Sequence, residues 1–152
     1  MTPEQRRQAA QAFWRDEEAA DDQVQAVLLI SQQKKFRPKT VLSLDEERKT
    51  RHLASLPTLP DALAARILVI YHLAAQRPMM SAFLDALGIG HENGLIKDDG
   101  AKPAAAKIGP AVARIAQEYP TADVALYLNT LVCQDPETWE SLRDLPQLQE
   151  TT

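Results

Sequence analysis

The chain has 152 residues and 16.9 kDa, the size of one domain. Folding at this length removes about 68 to 70% of the surface an unfolded chain exposes, so a core forms without staples. A hydrophobic share of 45% and a charged share of 25% exclude wholesale disorder, collagen and low-complexity fibre.

Cys133 is the only cysteine, which excludes an intrachain disulfide or a thiolate-built zinc site and favours a reducing compartment. The longest apolar run, residues 67–75, is interrupted by His72 and falls far short of the roughly 20 residues of a membrane span. The arginines at Arg6 and Arg7 lack the apolar stretch of a secretory signal behind them. The expectation is a soluble, cytoplasmic protein. Net charge is −4, unevenly spread. Residues 1–33 carry 3 basic and 6 acidic groups, residues 34–52 carry 7 and 3, and residues 53–152 carry 7 and 12. A basic band lies between two acidic ones.

Thr2 before Pro3 is an N-cap with proline at the first helical position, opening a helix whose Ala9, Phe13, Ala20 and Val24 share a stripe. Asp21 and Asp22 are candidate caps of a second helix reaching Phe36, with Val24, Val27, Leu28 and Ile30 apolar; one helix over 3–36 is the alternative. Proline 38 ends that segment, because Arg37 is pushed out of the α region. Ser43 and Glu46 then fit a capping box that starts a helix to about residue 56. Thr58 is placed to cap a segment over 59–76, apolar on nearly every side except at Arg66 and His72.

Pro78 punctuates, and Met79 to Leu87 makes a short helix that ends at Gly88 in the left-handed conformation, with Ile89 folding onto Leu84 or Phe83. Residues 89–102 are polar and rich in glycine, a surface excursion without a convincing strand. Gly109 and Pro110 interrupt the next helical pattern, and Thr121 caps a second apolar helix over 122–133. Asp135 and Pro136 start a last short helix through Trp139 and Leu142, and the tail after about 146 is expected to fray. Leu68 and Leu126 are expected in the core. The fold class is all-α: a single-domain irregular helical bundle over 1–152, with about six to eight helices around two apolar central helices.

The glycines around His91 and Glu92 miss the dinucleotide fingerprint by one place, and the loop follows a helix where that motif follows a strand. Leu95 stands where a metalloprotease helix needs its second histidine. Asp98, Asp99 and Gly100 lack the alternating ligands of a calcium loop. No catalytic residue, metal ligand or cofactor is assigned. Cys133 reads as a buried small hydrophobe, His91 as solvated, and Met79 with Met80 as core filling.

Three function classes follow. The first is a non-catalytic module that binds a protein partner or associates with itself. The second is nucleic-acid or polyanion binding through the band 34–52, with Lys34, Lys35, Arg37, Lys39, Arg48 and Arg51 as contacts. Acids Asp45, Glu46 and Glu47 inside the band argue against it. The third is an enzyme or small-ligand carrier with a cavity at Arg66, Tyr71 and His72, set against a plain clasp between Arg66 and a carboxylate.

Overall fold

The computed structural model describes residues 1–97 and 102–149. They are all-α apart from one hairpin of two two-residue strands, and they fall into two compact units, Met1–Tyr71 and His72–Thr152. Each unit is built from short helices whose ends are set by caps and prolines.

The first unit opens with α1 (Pro3–Arg15), where Thr2 and Gln5 form a reciprocal capping box: Gln5 N–H donates to Thr2 Oγ1 at 3.1 Å, and Thr2 N–H to Gln5 Oε1 at 2.9 Å. The chain breaks at Asp16, earlier than the expected break at Asp21. Asp16 Oδ1 accepts from Glu18 N–H at 2.9 Å and starts a 3-10 turn over Glu17–Ala19. Gln23 then reaches back: its Nε2 donates to the carbonyls of Phe13 at 2.9 Å and Asp16 at 2.8 Å. Each of those carbonyls also accepts a backbone N–H at 3.3 Å, from Asp16 and Ala19 respectively, so the carboxamide adds a second donor to each and ties the start of α2 to the end of α1.

After this break α2 (Ala20–Lys34) runs in a new phase, burying Ala26, Val27 and Ile30. Ala20 and Val24 do not share a buried stripe with Ala9 and Phe13; both are exposed. Lys35 closes α2 in the left-handed region at φ 59°, and Phe36 N–H donates to Ser31 O at 3.1 Å, the six-residue ring of a Schellman ending. Pro38 opens α3 (Pro38–Ser43), an element the sequence expectation lacked. Asp45, not Ser43, caps α4 (Glu46–Ala54), with its Oδ1 accepting from Arg48 N–H at 2.8 Å; Ser43 Oγ instead donates to Thr40 O. Helix α4 packs against α1, and Leu53 is buried there.

Helix α5 (Asp61–Ala75) carries the division between the units at Tyr71 and His72. Leu63, Ile67, Ile70 and Tyr71 are buried, whereas Leu68 is only half-buried and leaves the expected core.

In the second unit α6 (Arg77–Leu87) ends as expected, with Gly88 at φ 72° and Ile89 N–H donating to Leu84 O at 3.1 Å. Ile89 is buried in one cluster with Phe83, Leu84 and both methionines. A hairpin follows, β1 (His91–Glu92) paired antiparallel with β2 (Leu95–Ile96). Its turn is Asn93 at φ 50° and Gly94 at φ 91°, the Asn-Gly pair that a two-residue turn of this hand requires. A Cβ on Gly94 would stand 2.7 Å from Met80 Cβ, so the hairpin lies tight on α6.

Pro110 does not interrupt α7 (Ala105–Glu118). The residue before it, Gly109, has no Cβ for the pyrrolidine ring to strike, and the proline costs one backbone hydrogen bond. Helix α8 (Thr121–Gln134) buries Val124 to Leu128 and Thr130 to Val132, with Leu126 in the core as expected. Asn129 and Cys133, one turn apart, are exposed, which corrects the reading of Cys133 as buried. Against α8 pack α9 (Pro136–Trp139), a 3-10 turn over Glu140–Asp144, and α10 (Pro146–Gln149). Leu148 is buried, so the fraying expected after 146 does not begin there; residues 150–152 lie outside the described residues. Asp98, Asp99 and Gly100 also lie outside them. Among the described residues no single helix is long and apolar enough to cross a membrane.

Removing the Gln23 carboxamide takes away the side-chain bonds that tie α2 to the end of α1 and leaves the weaker backbone ones. Gln23→Ala is expected to lower unfolding free energy by about 0.5 to 1.5 kcal/mol in urea titration. A change below about 0.5 kcal/mol, the level of a neutral surface substitution, contradicts that role.

Candidate interaction surface

Helix α2 is apolar on two sides. One side is core, and on the other Val24 and Leu28 are 59% and 50% exposed, one turn apart. At the helical repeat these two share a stripe with Asp21 toward the N-terminus and Gln32 and Lys35 toward the C-terminus, all exposed. The break at Asp16 separates this stripe from the buried stripe of α1.

The candidate polyanion contacts divide into two groups. Arg48 lies 4.0 Å from Asp45 and Arg51 lies 3.5 Å from Glu47, exposed pairs within α4 that carry little energy. Lys34, Lys35, Arg37 and Lys39 have no carboxylate within ion-pair distance among the described residues. Lys49 is placed over the Trp14 ring, 5.4 Å from its centroid.

The end of α2 meets α4 at His52. Phe36 stands edge-on to the imidazole with ring centroids 5.3 Å apart, and burial, followed by the charges of Lys34 and Arg51, holds His52 below its ordinary pKa of 6.5. Lys34, Phe36, Arg51 and His52 therefore converge, whereas Arg48 turns to its own carboxylate.

The candidate cavity residues have separate surroundings. Arg66 lies 3.5 Å from Asp22 of α2 with its side chain 42% exposed, the clasp in an open setting. Tyr71 donates from its hydroxyl to Gln8 Oε1 at 3.5 Å, and the buried His72 ring lies 5.6 Å from the Tyr127 ring. His91 is not solvated: Gly94 N–H donates to its Nδ1 at 3.1 Å, so Nε2 carries the proton and donates to Asp85 Oδ1 at 2.6 Å. That pairing locks the hairpin to α6.

One feature was missed at the sequence level. Between α1 and α4 runs an open cleft of about 580 Å³, lined by Arg6, Arg7, Glu46, Glu47, Thr50 and Arg51 among others. The Thr50 hydroxyl is buried there without a hydrogen-bond partner, and Arg6 has no acid beside it among the described residues. Guanidinium and carboxylate groups nearly balance, so the cleft favours neither sign of ligand. Spacing along two separate helices carries no signal for such a groove.

Among the described residues no group of three or more potential metal ligands gathers. No family model matches the chain, and neither do any curated proteins or solved structures.

The depressed His52 pKa has a consequence for stability. The unfolded chain takes up the proton first, so stability falls as pH drops below about 6.5 and is unaffected by this group above it. Between about pH 7.5 and 5.5, His52→Gln is expected to flatten the decline in melting temperature. An unchanged slope contradicts the assignment.

Proposed function

We propose that the chain is a non-catalytic binding module whose working surface is the outer face of α2 together with the basic turn over residues 34–39. The observation that carries this reading is the open pair Val24 and Leu28 on a helix whose opposite side is already core. Single exposed apolar side chains are ordinary, but two at one-turn spacing form the anchor pattern by which a helix docks on another helix.

Val24→Ser with Leu28→Ser tests it, because each residue is at least half exposed and lies outside the core. The double variant is expected to keep the wild-type melting temperature and to lose a macromolecule that the wild type retains from source cells, identified by mass spectrometry. Equal retention by the two contradicts the reading.

A second reading, polyanion binding through Lys34, Lys35, Arg37 and Lys39, is favoured by these four having no carboxylate within ion-pair distance among the described residues. Against it stand Asp16, Glu17, Glu18, Asp21 and Asp22 at the other end of the same structure, which weaken the field a phosphate backbone meets. Titration with random duplex and single-stranded nucleic acid is expected to show no appreciable binding near physiological salt. Binding that falls with salt by roughly −0.9 in logarithmic slope per phosphate, and is lost when the four cations become Glu, promotes the second reading over the first.

A further inference from the structure

We propose that two copies of this chain pair through α2, antiparallel, with Leu28 of each against Val24 of the partner subunit. The inference rests on the binding face described above and names its occupant.

The charges at the two ends of α2 carry the argument. Glu17, Glu18 and Asp21 stand at its N-terminal end with no cation within ion-pair distance among the described residues, and Lys34, Lys35, Arg37 and Lys39 stand at the other end with no acid. The open apolar pair lies between them. Asp21, Leu28 and Lys35 recur at intervals of seven, with Val24 between the first two, the spacing of a helix seam. From Asp21 to Lys35 the stripe is about 21 Å long at 1.5 Å per residue.

Only one direction of pairing uses these features together. In a parallel pair, acid meets acid and lysine meets lysine. Reversing one copy about a two-fold axis between Val24 and Leu28 sets each open apolar side chain on another and lays the acidic end along the partner's basic end. A crossing near 20° at 8 to 10 Å between axes keeps the ends within reach of long lysine side chains. Such an interface is self-complementary and closes at two copies. A polyanion or an anionic membrane would meet the lysines but be repelled by the acids on the same stripe, so charge complementarity favours a second copy.

Two charge-reversed variants test this by sedimentation equilibrium: Glu17→Lys with Asp21→Lys, and Lys34→Glu with Lys35→Glu. Wild type is expected to dimerise reversibly and more weakly at high salt. Each variant alone is expected to lose at least about tenfold in affinity, since every reversal acts twice across the axis. An equimolar mixture of the two is expected to recover a dimer, which a misfolded variant cannot do. Wild type that stays monomeric, or variants that dimerise as well as wild type, overturns the proposal. If wild type is monomeric but Val24→Ser with Leu28→Ser still loses a cellular partner, self-pairing fails while the binding face stands.

Discussion

At the junction of α1 and α2 the Asp16 carboxylate caps a 3-10 turn while the carboxamide of Gln23 donates to the carbonyls of Phe13 and Asp16, fastening the two helices at a break. An uninterrupted helix would carry the stripe of Ala9 and Phe13 on through Ala20 and Val24, turning Val24 inward. The capped break at Asp16 ends that stripe, and along α2 Ala26, Val27 and Ile30 are buried while Val24 and Leu28 face outward. The functional reading depends on that outward face.

The far end of α2 is shaped by a second local device. Lys35 in the left-handed region, Phe36 bonded back to Ser31 and Pro38 starting α3 reverse the chain within a few residues. Four cations are thereby gathered within a short stretch; Lys34 and Lys35 stand at the C-terminus of α2, where the dipole offsets part of their repulsion, whereas Arg37 and Lys39 stand at the start of α3. The same turn sets Phe36 and Lys34 against His52 of α4, so the basic turn is anchored by an aromatic contact.

Local stereochemistry was readable from the sequence wherever one residue dictates the backbone. Thr2 with Pro3 and Gly88 with Ile89 follow from a cap and a left-handed glycine, and the approximate extents of α5 and α8 from long apolar runs, although Thr121 lies inside α8 and Pro120, with no side-chain bond, takes the cap position expected for it. The turn at Asn93 and Gly94 carried an equally clear signal, hidden because its strands are only two residues long. Pro110 lies inside α7 because Gly109 relieves the clash that usually ends a helix. Asp16, Asp21 and Asp22 are all residue types that cap helices, and sequence alone does not choose among them. Exposure of Leu28 and Cys133, and the cleft between α1 and α4, depend on which elements meet in space, and periodicity along one segment does not contain that.

Thiol labelling of single-cysteine variants at positions 24, 27, 28 and 30, made in a Cys133→Ser chain and measured at low protein concentration, tests the phase of α2 directly. The account predicts rapid reaction at 24 and 28 and protection at 27 and 30 until the chain unfolds. Protection at 24 and 28 equal to that at the other two positions would show that this face of α2 is covered by the chain itself, contradicting the account.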